Sequence, residues 1–341
     1  MPSCSASGPP LPVNETGSQD RRWLAAAASL AARSLPLSRP NPAVGAILVK
    51  QGRVLGRGWT GKGGRPHAEA AALDAAGQAA QGATLYVTLE PCAHQSPRGP
   101  ACAELIAASG AARVVVGCED PDPRTAGQGL ARIGAAGIAA ELLASDEAHA
   151  SLAGYLVQRR RGRPHITLKL ATSLDGCIAL ANGESQWITG AAARAHGHAM
   201  RARADGIVVG GGTLRADAPR LDVRLPGLED RCPQRLVLTR GAAPEGWHGL
   251  PAPEAVSELA DVQYLLIEGG AGAAASFLKA GLIDRLLIYR APILIGGGLP
   301  SIGDIGLAAL GQAHGQWRMR DQRQLGSDTM EVYEQQPCSP E

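Results

Sequence analysis

Short apolar runs alternate with Ala-rich amphipathic stretches along most of the chain, and clusters of Gly and Pro separate them. The short runs predict buried strands and the longer stretches predict helices. In the first half, the predicted strands span residues 43–49, 53–56, 83–89 and 113–116, and the predicted helices span 68–80, 103–108 and 125–136. In the second half, further strands are predicted at 165–170, 206–209, 235–238, 264–267 and 285–289. This alternation predicts an α/β protein with helices flanking its sheets.

Two changes of composition divide the chain. The polar start, rich in Ser, Pro, Gly and Asn, predicts a disordered tail at residues 1–19. A basic run closed by Gly162 and Pro164 is typical of a helix end followed by a linker. With 341 residues, the chain has the length of two domains. We therefore expect a first domain at 20–158, a linker at 159–164 and a second domain at 165–341.

Composition argues against several classes of partner. The chain has 33 basic and 31 acidic side chains, and its net charge of +2 gives no strong field for nucleic acid or an anionic membrane. Aromatic residues make up only 3%, too few for a base-stacking platform. Seven scattered cysteines suggest a reducing compartment, so we expect a cytoplasmic protein. The Ala-rich run at 23–32 is shorter than a membrane span and is interpreted as a first helix rather than a signal peptide.

Candidate chemistry begins with His67, Glu69, Cys92 and Cys102. His67 and Glu69 open a predicted helix, Cys92 follows a strand and a proline, and Cys102 opens another helix. The order His-x-Glu, Pro-Cys, Cys is that of the zinc deaminases. Three nitrogen and sulfur ligands leave one position on zinc for a water, whose pKa the metal lowers. Glu69 is too close in sequence to His67 to be a comfortable fourth ligand, and we expect it to transfer protons during catalysis.

The two cysteines enclose a loop, residues 93–101, which is long enough to contact a substrate. Arg98 in this loop is a candidate phosphate ligand, and His94 a second candidate contact. Both also fit an ordinary solvated loop, and the sequence leaves the two interpretations open.

Motifs in both halves resemble one known family. They are PNPAVG at 40–45, PHAE at 66–69, TLEPCAH at 88–94, LK at 168–169, SLDG at 173–176 and GESQWIT at 183–189. Together they resemble the bifunctional riboflavin-biosynthesis enzymes, in which a diaminohydroxyphosphoribosylaminopyrimidine deaminase is fused to a 5-amino-6-(5-phosphoribosylamino)uracil reductase. The resemblance covers about residues 22–298. It implies a cytidine-deaminase-like α/β/α first domain and a dihydrofolate-reductase-like α/β second domain.

The resemblance also implies site residues and cofactors. It implies one Zn²⁺ held by His67, Cys92 and Cys102, with Glu69 as the proton shuttle and Asn41 in the substrate-pocket loop. It implies that the second domain binds NADPH and that the substrate is a small pyrimidine. Separately, we expect a homo-oligomer. The implied NADPH contacts are Ala171, Trp187, Thr213, Asp217, Gly270, Ala271, Gly272, Ala273, Ala274, Ala275 and Ser276. The implied substrate contacts in the second domain are Ser185, Arg201, Leu221, Arg224 and Glu268.

From the residues alone, the second half shows only a Gly-rich turn after the strand predicted at 264–267. Gly270, Gly272 and Ala275 have a spacing that suits the approach of a pyrophosphate to a helix start. No acidic residue follows at the distance that binds an NAD ribose, so a dinucleotide-binding Rossmann domain is not predicted. Arg240 is a candidate for the cofactor 2′-phosphate, although an exposed turn arginine fits it as well.

Four functions stay in competition. The leading prediction is deamination of the aminopyrimidine followed by NADPH-dependent reduction of the ribosyl group to ribityl. The segment from Arg235 to Glu268 is short for the family, which favours a deaminase whose second domain is degenerate and non-catalytic. The zinc motif alone permits a nucleic-acid deaminase, which the charge and the few aromatics disfavour. A structural zinc module is disfavoured by Glu69 and by the count of three ligands.

Overall fold

A computed structural model of the protein describes residues 13–94 and 96–336. The chain divides into two compact units, Met1–Leu156 and Val157–Glu341. Most of the tail expected at 1–19 lies outside the described residues, but the first helix already begins at Val13. None of the described helices is both long and apolar enough to cross a membrane.

The first unit is a five-stranded sheet flanked by helices. Its strands are β1 (Gly45–Lys50), β2 (Arg53–Trp59), β3 (Thr84–Val87), β4 (Arg113–Val116) and β5 (Ala139–Leu142). Its helices are α1 (Val13–Ala31), α2 (Ala68–Ala76), α3 (Cys102–Ala108), α4 (Gln128–Ala135) and α5 (Asp146–Ser151), while α6 (Ala153–Arg161) contains the boundary between the units. The strand order is β2-β1-β3-β4-β5, antiparallel from β2 to β3 and parallel from β3 to β5.

Most differences from the sequence expectations in this unit lie at element ends. The helix predicted at 68–80 ends as an α-helix at Ala76, and a 3-10 turn continues it to Ala80. Gly77 has a φ of 53° and so cannot extend the α-helix. The edge strand β5 was not expected, because its sequence AAEL carries no apolar run.

The second unit is an eight-stranded mixed sheet with a small two-stranded sheet beside it. Its strands are β6 (His165–Thr172), β7 (Cys177–Ala179), β8 (Gly206–Gly210), β9 (Gln234–Leu238), β10 (His248–Leu250), β11 (Tyr264–Ile267), β12 (Arg285–Arg290), β13 (Leu299–Pro300), β14 (Trp317–Leu325) and β15 (Asp328–Gln335). Its helices are α7 (Ala191–Arg201), α8 (Gly211–Asp217) and α9 (Ala271–Lys279). The order is β10-β9-β8-β11-β6-β12-β15-β14, and β7 pairs with β13.

The six strands from β10 to β12 in this order are parallel, and the hairpin β14–β15 closes the sheet with antiparallel strands. Parallel strands end at the same edge, where open α/β sheets bind ligands. The chain leaves β6 at Thr172, β8 at Gly210 and β11 at Ile267 on this edge. The predicted reductase residues Ala171, Thr213 and Glu268 therefore fall near one another.

The short segment between β9 and β11 has a simple structure. It holds only the edge strand β10 and a 3-10 turn at Pro253–Glu258, with no α-helix among its described residues. Leu250 and Val256 nevertheless bury their side chains in the main core of this unit. The short segment between β9 and β11 therefore affects only the edge of the sheet, and the strands β6, β8 and β11 are intact.

Candidate active sites

His67, Cys92 and Cys102 come together in the first unit, and their ligand atoms all lie within 4.8 Å of one another. Nδ1 of His67 is 3.2 Å from Sγ of Cys102 and 3.6 Å from Sγ of Cys92. In a tetrahedral zinc site, bond lengths near 2.0 and 2.3 Å give nitrogen–sulfur separations of about 3.6 Å. The donor set and its spacing therefore fit a Zn²⁺ ion, with Nδ1 as the histidine ligand atom.

Two helix starts and one strand end place these ligands. His67 is the N-cap of α2, Cys102 is the first residue of α3, and Cys92 follows β3 by five residues. The backbone N–H of Cys102 donates to Sγ of Cys92 at 3.3 Å. Helix starts favour negative charge, so they stabilise thiolates.

The two cysteine side chains shift the pKa of each other in opposite directions. A hydrogen bond from Cys102 lowers the pKa of Cys92 to about 4, and His67 contributes to the same effect. The hydrogen bond to Cys92 raises the pKa of Cys102 correspondingly. Cys92 is thus a ready anionic ligand near neutral pH.

Glu69 lies in the first turn of α2 and is only 4% exposed. Burial raises the pKa of Glu69 to about 7, although the nearby His67 opposes this. A carboxyl group with a pKa near neutrality can both accept and return a proton, as general acid–base catalysis requires.

A second buried carboxylate, that of Glu90, anchors the segment that leads to Cys92. Glu90 is 2% exposed and precedes Cys92 by two residues. Its two oxygens accept four backbone hydrogen bonds from the start of α4 and the loop before it. The donors are Asp120, Gly127, Gly129 and Leu130. The sequence analysis missed this residue, because only the fold shows which amides meet it.

The predicted loop contacts of the deaminase occupy different positions. The side-chain amide of Asn41 lies 3.5 Å from the carbonyl oxygen of Gly64, just before His67. Nδ1 of His94 lies 3.4 Å from Oγ1 of Thr125, while Arg98 donates to the carbonyl oxygen of Gly63 at 2.7 Å. The guanidinium of Arg98 thus joins the loop between the cysteines to the loop before His67, and no phosphate is needed to explain its placement.

The second unit contains a cavity of about 350 Å³ beside β6 and α7. Two of the predicted NADPH contacts line it, Ala171 and Trp187. Four predicted substrate contacts also line it: Ser185, Arg201, Arg224 and Glu268. The remaining lining residues were not predicted, and they are Lys169, Ile178, Gln186, Ile188, Thr189, Ala193, Arg194, Gly197, His198 and Tyr289.

Charged side chains dominate one wall of this cavity. Arg201 donates two hydrogen bonds to Glu268, both at 2.8 Å, and Nζ of Lys169 is 3.8 Å from Glu268. Burial alone would raise the pKa of Glu268, but Lys169 and Arg201 outweigh it and lower this pKa to about 2. The wall therefore keeps an ionised carboxylate and an excess of positive charge, which suits an anionic ligand.

The other predicted cofactor residues, except Asp217, lie at the starts of the two helices α8 and α9. Gly270 is the N-cap of α9, and its backbone N–H donates to Oγ1 of Thr213 on α8 at 3.2 Å. Gly272 has open space where a side chain would lie. A glycine-rich helix start with accessible N–H groups fits a pyrophosphate, and hence the NADPH that the family implies. Ala271 to Ser276 make up most of the remaining first turns of α9.

Several predicted residues are not brought to the cavity wall. Leu221 is 4% exposed and packs in a core cluster with Ile207 and Leu266, so its side chain is structural. Ala273, Ala274 and Ala275 are buried on the inner face of α9. Asp217 ends α8 in an exposed position, and Arg240 is an exposed residue just after β9.

Comparisons with known proteins match both units. The cytidine and deoxycytidylate deaminase zinc-binding region matches residues 17–118. The RibD C-terminal domain matches residues 164–246 and 249–330. These matches include His67, Cys92 and Cys102 in the first unit and all the residues that line the cavity in the second.

Several relatives match this chain over nearly its whole length, and therefore over both units. The riboflavin biosynthesis protein RibD of Haemophilus influenzae is 35% identical, over 94% of this chain and 98% of the relative. The structure of Acinetobacter baumannii RibD superposes with a TM-score of 0.81 at 35% identity, covering 94% of this chain and 100% of that one. A Thermotoga maritima protein, described as a diaminohydroxyphosphoribosylaminopyrimidine deaminase/5-amino-6-(5-phosphoribosylamino)uracil reductase, gives 0.80 at 27% identity and covers 94% and 99%.

Proposed function

The chain belongs to the RibD family of bifunctional riboflavin-biosynthesis enzymes, and on that premise we propose which of its residues carry out each reaction. It is a zinc-dependent deaminase and an NADPH-dependent reductase. The proposed first substrate is the diaminohydroxyphosphoribosylaminopyrimidine named for the Thermotoga maritima relative. Its deaminated product, 5-amino-6-(5-phosphoribosylamino)uracil, is the proposed second substrate.

We propose that His67, Cys92 and Cys102 hold the zinc ion of the deaminase. The ion supplies Lewis-acid activation of the attacking water. Glu69 accepts a proton from the attacking water and passes it to the pyrimidine ring nitrogen. It then takes the second proton, from the hydroxyl group added to the ring carbon, and gives it to the amino group, which leaves as ammonia while the carbonyl forms. Its burial beside the ligands and its pKa near 7 support this assignment. Asn41 is assigned to substrate binding because its loop packs on the segment that ends at His67.

In the reductase, NADPH supplies a hydride to the open-chain form of the ribosyl group. We assign the cavity residues Ser185, Arg201, Arg224 and Glu268 to substrate binding, and Ala171 and Trp187 to the adjoining cofactor contact. The start of α9 with Thr213 is assigned to the cofactor phosphates. Leu221 and Asp217 remain assignments by family position, and Leu221 contributes through its backbone because its side chain lies in the core.

The domain boundaries, assembly and compartment are further parts of this proposal. The deaminase domain is assigned to 20–158, the linker to 159–164 and the reductase domain to 165–341. We propose a cytoplasmic homo-oligomer that acts on a small molecule and binds no nucleic acid. The near-neutral charge and the 3% of aromatic residues support the last point. Light scattering of the purified chain tests the assembly.

The observation that carries the deaminase assignment is the cluster of three ligand atoms beside the buried Glu69. The alternative of a degenerate second domain is not favoured, because the reductase family match spans both sides of the short segment. The test is to supply the diaminopyrimidine with and without NADPH. We expect ammonia release in both cases and NADPH oxidation only after deamination. Ammonia release without any NADPH oxidation would contradict the reductase half.

A further inference from the structure

We propose that Tyr289 is a positioning residue of the reductase cavity, held in place by His196 and holding in turn the ammonium group of Lys169. The inference rests on the reductase function proposed above and deepens it, because it concerns how the anionic substrate is recognised. Tyr289 lies on β12 directly opposite Ala171 of the parallel strand β6. Its side chain is only 1% exposed, yet it lines the cavity.

His196 fixes the position of this ring. The hydroxyl oxygen of Tyr289 lies 2.7 Å from Nδ1 of His196, and the two rings meet edge to face with centroids 5.7 Å apart. Burial raises the pKa of Tyr289 and lowers the pKa of His196, so both groups are neutral near pH 7. The phenol donates to the imidazole in the tautomer protonated at Nε2, and the buried hydroxyl gains the partner that it needs.

Lys169 is held by the face of the same ring. Its Nζ lies 5.7 Å from the ring centroid of Tyr289, within the range of a cation–π contact. This nitrogen lies 3.8 Å from the carboxylate of Glu268, which is too far for a hydrogen bond. The two carboxylate oxygens instead accept hydrogen bonds from Arg201. No described residue hydrogen-bonds the ammonium group, so its three N–H donors remain available to a ligand in the cavity.

The tyrosine thereby connects the two sides of the substrate site. His196 is part of α7, which also contributes Arg194, His198 and Arg201 to the cavity wall. Lys169 lies on β6, between β11 and β12 in the sheet. The hydrogen bond between Tyr289 and His196 therefore sets the spacing between the basic side chains of α7 and the ammonium group. A ligand that carries a phosphate and a sugar hydroxyl can contact both the basic side chains of α7 and the ammonium group of Lys169. Binding of such a ligand needs a constant spacing between these groups.

The test compares substitutions on the two partners in the full chain. Tyr289→Phe keeps the ring face and removes the hydroxyl, while His196→Leu removes the acceptor. Loss of one buried hydrogen bond predicts that either change raises KM for the deaminated substrate by about three- to tenfold, with kcat little altered. In the Tyr289→Phe background, His196→Leu should add no further increase, because both substitutions remove one interaction.

His196→Asn is the matched variant, because its amide oxygen replaces the Nδ1 acceptor, and KM should stay within about twofold of the unaltered chain. Ammonia release and the Kd of NADPH should be unchanged in all variants. Calorimetry gives the Kd of the deaminated compound without turnover, so it tests the role of Tyr289 even if the unaltered chain fails to oxidise NADPH. That failure would count against the proposed function and not against the inference. An unchanged affinity in Tyr289→Phe, or additive effects in the double variant, would overturn the inference.

Discussion

The backbone N–H of Gly129 donates a hydrogen bond to Oε1 of Glu90 at 2.9 Å, and the carbonyl oxygen of Pro91 packs against the same glycine. This contact joins the first turn of α4 to the residues that lead into Cys92. A Cβ atom at Gly129 would overlap the Pro91 carbonyl. The glycine is thus required by the geometry of the metal site, although it is far from the ligands in sequence.

Gly129→Ala should therefore disturb the metal site. The methyl group displaces Pro91 and with it the Cys92 ligand, and we expect a loss of stability of about 2 kcal/mol or more together with weaker zinc binding. The matched control is Gly134→Ala in the same helix, where nothing lies within 4 Å of the new Cβ. That variant should be stabilised by about 0.5–1 kcal/mol. Urea unfolding and competition with a chromogenic zinc chelator measure both effects, and equal behaviour of the two variants would contradict the account.

Glu69→Gln should remove proton transfer while leaving the zinc site assembled. Loss of a general acid–base group predicts a fall in the rate of ammonia release of about 100- to 10,000-fold. Zinc content should remain that of the unaltered chain, because the three ligands are intact. Glu104→Gln, in the first turn of α3 and half exposed, is the matched control and should have little effect. Full ammonia release by Glu69→Gln would remove Glu69 from the proposed mechanism.

Glu268→Gln should impair only the reductase. The substitution leaves Arg201 and Lys169 without their shared buried counter-charge. Loss of the charge-assisted hydrogen bonds predicts a decrease in kcat/KM for NADPH oxidation of about 10- to 100-fold. Ammonia release measured on the same sample should be unchanged. A parallel loss of both activities would show that the defect is in folding rather than in the cavity.

His165 should make the stability of the second unit depend on pH. Burial lowers the pKa of His165 to about 4 from the ordinary 6.5, and no residue that the structure describes forms a hydrogen bond with its Nδ1. The unfolded chain therefore binds a proton at a higher pH than the folded chain does. The free energy of unfolding should fall as pH drops from 6.5 to 4, by up to about 3 kcal/mol from this group, and no further below that.

His165→Phe should flatten this part of the pH profile, since it removes the titrating group and keeps a planar ring beside Tyr264. His314→Phe, at an exposed position, is the control and should leave the profile unchanged. Urea unfolding between pH 4 and 7.5 measures both. An identical slope in the His165 variant and the unaltered chain would contradict the assignment.

The sequence was most informative where chemistry demands fixed residue types. The strands at Arg113–Val116 and Tyr264–Ile267 have the predicted bounds, because each contains a run of three branched aliphatic residues. His67, Cys92 and Cys102, the three proposed zinc ligands, lie close together as the motif order predicts, since two helix starts and a strand end hold them. The two-domain α/β architecture was likewise confirmed by the family matches and by superposition on known structures.

Contacts between residues that are far apart in the chain could not be predicted from the sequence. Glu90 meets amides about 30 to 40 residues away, and Tyr289 meets a histidine 93 residues away, so no local spacing indicates either contact. The hairpin β14–β15 was missed because β14 is largely exposed and mostly polar, without a sustained apolar alternation. The resemblance to the family was also insufficient at Leu221. It implied a ligand contact at this position, but the apolar side chain packs in the core.

The most direct test of the account is removal of the metal from the unaltered chain. We expect elemental analysis to find one zinc per chain, and dialysis against a chelator to abolish ammonia release until zinc is restored. NADPH oxidation with the deaminated compound supplied should persist throughout, because none of the residues assigned to the reductase is a proposed metal ligand. Undiminished ammonia release from a protein shown to be free of metal would contradict the claim that His67, Cys92 and Cys102 hold a catalytic zinc ion.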